Sequence, residues 1–182
     1  MAQTPITNFI NNFDGGARSN LFEIEIQSPG LTLAASAAPG GSIKVYAKSS
    51  EIPSTTLGQI PVNYMGRVVN IPGDRTYNDW TVTILADEAM LMRAAFEDWN
   101  LQFNSHFNNT PVVAGAGLGH MNLLRNSIAK VRLLKRDHSA SREWTLSHLW
   151  CEDVQSVPVS YDNNDAIAEF QVTFKYHGLD RA

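Results

Sequence analysis

The chain has 182 residues, of which 43% are hydrophobic and 18% charged, with a formal net charge of −4. That length suits a single core, and that composition excludes global disorder. The acidic balance argues against a tight grip on nucleic-acid phosphates, which calls for basic patches.

Residues 1–17 form a polar arm rich in Asn, with Phe9, Ile10 and Phe13 as its apolar handles. It reads either as a frayed terminus or as an arm that docks on a neighbouring copy, with Phe9 and Phe13 as anchors. Phe22, Ile24 and Ile26 then alternate with Glu23, Glu25 and Gln27, the pattern of a half-buried strand. Ser28-Pro29-Gly30 ends it. Residues 31–38 are compatible with a short strand, although alanines are poor strand formers. Past Pro39-Gly40-Gly41, Ile43, Val45 and Ala47 alternate with Lys44, Tyr46 and Lys48, predicting a further strand. Residues 48–57 are polar and contain Pro53, so a loop of about ten residues is expected, a length that tends to carry function.

From Gln59 to Trp99 the pattern predicts strand, turn, strand and helix. The turn is expected at Pro72-Gly73-Asp74, where Pro fixes φ and Gly permits positive φ. Trp80, Val82 and Ile84 have the period of a strand with one buried face. At Asp87 the period changes. Ala89, Met92, Phe96, Trp99 and Phe103 follow helical spacing across residues 87–103, with Asp87 as the expected N-cap. Glu88, Arg93, Glu97 and Asp98 lie off that apolar stripe. Residues 103–126, rich in Asn and Gly, predict one long loop. Its alternating Gly115, Gly117 and Gly119 lack the preceding strand and following helix of a phosphate-binding loop.

Ile128 to Leu134 reads as a basic strand, with Ala129, Val131 and Leu133 on its apolar face. Asp137-His138-Ser139 turns the chain, and Trp144, Leu146, His148 and Trp150 are expected on one face of a single second strand. Asp162-Asn163-Asn164-Asp165 is a turn by composition. Alternation from Ala166 to Tyr176 marks the last strand. Seven or eight strands and one helix imply a mainly β fold, an antiparallel β-sandwich or barrel with one flanking α-helix, spanning residues 1–182 as one domain.

No histidine or cysteine pair has a short metal-ligand spacing, and Asp162 and Asp165 lack the pattern of a calcium loop. No G-x-S-x-G is present. The expectation is no enzyme and no catalytic, cofactor or metal site. The lone Cys151 allows no intrachain disulfide. No signal peptide and no run of roughly 18 apolar residues is found, so a soluble protein that meets no membrane is expected in a reducing cytoplasm.

The segment VNYMGRVVNIPGDRTYNDWTVTILADE resembles the tail-tube family of contractile-tailed bacteriophages. The specific parts are Pro61 to Arg67 and Gly73 to Ile84, flanked by weaker matches at Ser19 to Ile26 and Asn163 to Phe174; residues 103–126 do not follow the family. The resemblance implies a virion protein, assembled in the host cytoplasm as a six-subunit ring whose sheet continues from subunit to subunit. Rings would stack into a hollow tube inside a contractile sheath, bounded by baseplate and tail-terminator proteins. Tape-measure protein and genomic DNA would occupy the lumen without specific binding, which an acidic chain suits. By the same resemblance, residues 48–61 stack ring on ring, with Glu51, Ile52 and Thr55 as contacts. Met65, Arg67, Asp74 and Arg75 hold the subunit seam or, alternatively, only the chemistry of their own turn. The helix face of Glu88, Arg93, Glu97 and Asp98 meets the sheath. A baseplate-proximal tube protein, a type VI secretion or pyocin-like tube, and a monomeric β-barrel binding module are the alternatives.

Overall fold

The computed structural model describes residues 5–13, 16–31, 42–44, 47–112, 120–162 and 165–181. In chain order the first elements are α1 (Pro5–Asn12), β1 (Phe22–Gln27), β2 (Ser42–Lys44), β3 (Ala47–Ser50), β4 (Thr55–Tyr64), β5 (Arg67–Tyr77) and β6 (Trp80–Leu85). They are followed by α2 (Leu91–Phe103), α3 (His120–Arg125), β7 (Ile128–Leu134), β8 (Ala140–Ser147), β9 (Trp150–Val154), β10 (Glu169–Lys175) and β11 (Gly178–Arg181).

Two antiparallel sheets enclose the core, one ordered β11-β8-β7-β1-β2 and the other β3-β6-β10-β9. Period-2 alternation turns one face of each strand inward. In the first sheet Ile24 lies opposite Val131 and Ile26 opposite Ala129. In the second, Trp80, Val82 and Ile84 lie opposite Phe174, Val172 and Phe170. These residues share one buried cluster with α2. On α2, Met92, Ala95, Phe96 and Trp99 are buried, and the Phe96 ring meets Phe170 and Phe174 edge-on at 6.4 and 5.9 Å. Edge-to-face pairs of this kind add to the burial of the rings themselves.

The chain passes from one sheet to the other at the same corner twice, from β8 into β9 and from β10 into β11. His148, at φ 57°, ends the alternation of β8, so Leu146 belongs to the first sheet and Trp150 to the second. His177 N–H donates to the Ser147 carbonyl at 3.2 Å, and the chain continues into β11. The single strand expected to carry Trp144, Leu146, His148 and Trp150 is therefore two strands, and β11 is an element that the alternation did not mark.

Other expectations are corrected in the same way. The hairpin turn is at Met65-Gly66, with φ 47° and 75°, while Pro72-Gly73-Asp74 lies inside β5. Positive φ at both central positions matches the right-handed strand twist, which a Pro-initiated turn does not. Gly73 and Asp74 sit instead at a bulge, where Leu57 pairs with Arg75 but Gln59 with Pro72. The expected loop of residues 48–57 shrinks to residues 51–54 between β3 and β4, and the remainder of the 48–61 segment is mostly strand. α2 begins at Leu91 rather than at Asp87, because Met90 N–H closes a turn on the Asp87 carbonyl at 3.0 Å. Helices α1 and α3 add to the one expected, and α3 interrupts the 103–126 loop. The expected strand at 31–38, apart from Leu31, and the alternating glycines at 115–119 lie outside the described residues, as do Asn163 and Asn164 of the expected turn.

Candidate functional site

The β4–β5 hairpin belongs to neither sheet of the sandwich. Ile60 pairs with Ile71 and Val62 with Val69, and Tyr64 continues the row. Strand alternation places all five on one face of the hairpin. That face is open to solvent: Ile60 is 53% exposed, Val69 51% and Tyr64 65%. A lone two-stranded hairpin is marginal in water, and a contiguous exposed apolar face of this kind marks an interaction surface.

The base of the hairpin is fixed to the body. Trp80 Nε1–H donates to the Glu51 carbonyl and to Ser50 Oγ, at 2.9 and 3.0 Å. Tyr176 O–H donates to the Ser54 carbonyl at 3.0 Å, and its ring meets Tyr77 at 5.5 Å. Burial, with Tyr77 and Asp79 nearby, raises the Tyr176 phenol above its ordinary value, which keeps it a donor. The hairpin thus projects from a rigid footing.

The residues singled out from sequence separate into several places. Glu51 and Ile52 are exposed in the short link before β4. Thr55 begins β4 and accepts a hydrogen bond from Arg75 Nη1 at 2.8 Å. Met65, 87% exposed, and Arg67 occupy the tip. Asp74 and Arg75 lie more than about 20 Å along the strand from that tip, by the rise per residue. The structure therefore unites Thr55 with Arg75 and divides the expected seam group in two, because the turn is at residue 65 and not at 73. An Asp74–Arg75 cap on the turn is ruled out by the same geometry.

Glu88 precedes α2, and Glu97 and Asp98 are exposed on it. Arg93 does not join them as a free surface cation. It donates to the Gln155 carbonyl at 2.6 Å, pairs with Glu97 at 2.7 Å and lies over the Phe170 ring at 5.8 Å. Phe9 on α1 stacks at 4.9 Å against Phe13, just past the end of the helix, with both rings exposed. Sequence reasoning missed Ile60, Val62, Val69 and Ile71. Their alternation was readable, but only pairing about residues 65–66 aligns them.

Two further features bear on chemistry. Among the described residues no group of three or more His, Cys, Asp or Glu side chains could hold a metal ion. Cys151 is buried, and burial, with Asp153 nearby, pushes its thiol up to about 12, so it is protonated and unreactive at neutral pH.

A family model described as "Phage tail tube protein" matches residues 17–179. The tail tube protein gp19 of Enterobacteria phage T4 is 32% identical over 167 residues, covering 88% of this chain and 90% of the relative. Gp19 of Enterobacteria phage T6 matches equally, at 32% over 88% and 90%. Among solved structures, a chain of the anti-feeding prophage baseplate superposes with a TM-score of 0.64 at 12% identity, covering 93% of this chain and 97% of its own. A chain from the sheath–tube complex of an extracellular contractile injection system gives 0.59 at 12% identity over 99% of both. At that identity the structural matches establish the fold.

Proposed function

The chain belongs to the phage tail tube protein family, and from that membership we propose that six copies close into a ring and that rings stack as the hollow inner tube of a contractile tail. The observation that carries this reading is the apolar face of the β4–β5 hairpin, whose residues Ile60, Val62, Tyr64, Val69 and Ile71 are exposed in the single chain. Burial of such a face is worth about 25 cal/mol per Å². A second copy is the partner that a repeating tube supplies at every position, and it gives the surface a use without a dedicated ligand. Met65 and Arg67 at the tip, and Asp74 and Arg75 at the base, then touch different parts of the neighbour. Glu51, Ile52 and Thr55 contact the next ring, and Phe9 and Phe13 anchor the arm on a neighbouring copy.

In this reading the sheet edges pair between subunits, which removes free edge strands. Glu88, Glu97 and Asp98 face the sheath. Baseplate and tail-terminator proteins bound the tube, and tape-measure protein and DNA pass through it without specific binding. The role is structural, with no catalysis, and assembly takes place in the host cytoplasm. The test is the double substitution Val62→Asp with Val69→Asp. The variant should keep the melting temperature of the wild-type monomer and form no rings by negative-stain microscopy. Ring formation at wild-type concentration would rule the hairpin out as the assembly surface.

A further inference from the structure

A second surface is defined by unpaired charge. At the β7–β8 turn, Arg18, Leu21, Leu133, Leu134, Lys135 and Arg136 line a cleft of about 530 Å³. The three leucines are half-buried and the three cations exposed. Among the described residues none of these cations makes an ion pair, whereas Lys130, Arg132 and Lys175 elsewhere are all paired. Asp137 also lines the cleft; it is held in its own turn by Ser139 N–H and Oγ–H at 3.0 and 2.6 Å and is attracted to Lys135, so one carboxylate stands against three cations. The cleft is therefore cationic at its mouth and apolar in its wall.

The complementary surface lies in the connection between β9 and β10, of which residues 155–162 and 165–168 are described. Connections this long in a compact fold tend to be functional. Asp162 and Asp165 are exposed, and among the described residues neither makes an ion pair. Beside them Tyr161 is fully exposed, as Val159 and Ile167 largely are. A strand path that starts at the cleft, through β8, the corner at His148 and β9, ends at this connection. Among the described residues no ion pair or hydrogen bond joins the two surfaces within one chain.

We infer that the cleft at the β7–β8 turn receives the acidic, apolar β9–β10 connection of a second copy, with Asp162 and Asp165 at the cations and Tyr161 against the leucines. This rests on the self-assembly reading above and adds a second contact to it. Because the two surfaces differ, the contact is head-to-tail and propagates around a ring or along a stack. Charge complementarity of this kind fixes register and partner choice.

The test uses two charge-reversed full-length proteins, Lys135→Glu with Arg136→Glu, and Asp162→Lys with Asp165→Lys. Circular dichroism melting establishes that each still folds. Each alone should need about tenfold more protein than wild type for half-assembly by sedimentation. Mixed one to one they should recover wild-type assembly, since each reversed surface then meets an opposite one. Wild-type assembly by either variant alone overturns the inference but leaves the tube reading intact, as does a mixture that fails to recover. A wild-type protein that stays monomeric even with baseplate seeds overturns both. Duplex DNA is the other polyanion that the cleft invites. Binding of DNA that is lost in the Lys135→Glu, Arg136→Glu variant, without loss of assembly, would also overturn the inference.

Discussion

Gly66 and Gly30 depend on the absence of a side chain for different reasons. Gly66 has φ 75° and open space around its missing Cβ, so its role is conformational alone. Gly66→Ala should weaken the hairpin by about 1 kcal/mol, read as roughly fivefold faster hydrogen exchange in β4 and β5 with little change in global melting. At Gly30 a Cβ would lie 2.6 Å from Gln102 Oε1 and 2.9 Å from Trp99 Cδ1. The Gln102 amide also donates to the Gly30 carbonyl at 2.7 Å. Gly30→Ala should therefore cost about 1–3 kcal/mol and lower the melting temperature of the whole fold. Asp87 gives a pH signature. Desolvation pushes its carboxyl up, but the N–H donors of Met92 and Leu91 outweigh this and hold it below its ordinary value of 3.8. A lowered folded pKa stabilises above the unfolded value and is lost as pH falls through the folded one. Asp87→Asn should accordingly flatten part of the loss of stability below about pH 4, seen in melting curves taken across that range.

At the scale of elements, β1, β6, β7 and β10 were legible because each buries one face and so displays its period. α2 was legible from Met92, Phe96 and Trp99, although its start was not. Asp87 satisfies the helix N-terminus from outside the helix, so its position as a cap did not mark the first turn. Where alternation runs through a corner, as at His148, a residue with positive φ and no Gly or Pro beside it hides the break. Pro72-Gly73 gave a stronger turn signal than Met65-Gly66, yet serves a bulge; a Pro in a two-stranded ribbon has an open side and costs no ladder bond within a sheet. The candidate site was legible as a segment and not as a surface, since its apolar face depends on the register. Trp99→Ala on α2 should cost about 3–5 kcal/mol, as expected for a fully buried ring, and should abolish folding and assembly together. The hairpin substitutions, by contrast, should separate assembly from folding.

For the whole molecule, the arrangement is a two-sheet core carrying surfaces that the single chain leaves uncovered. Among the described residues they include the hairpin face, the stacked Phe9 and Phe13, and the cationic cleft with the acidic β9–β10 connection proposed to complement it. The first two are apolar and insensitive to salt, while the third is screened over a Debye length of about 10 Å at 0.1 M salt. Assembly should therefore weaken but persist as salt rises to about 0.5 M, which sedimentation at several ionic strengths would measure. The measurement that bears most directly on the central claim is negative-stain electron microscopy of the purified protein across a concentration series, with light scattering alongside. Hollow rings or tubes of constant width, with six-fold class averages, are the predicted result. Monomers at every concentration, persisting after baseplate seeds are added, would contradict the tube.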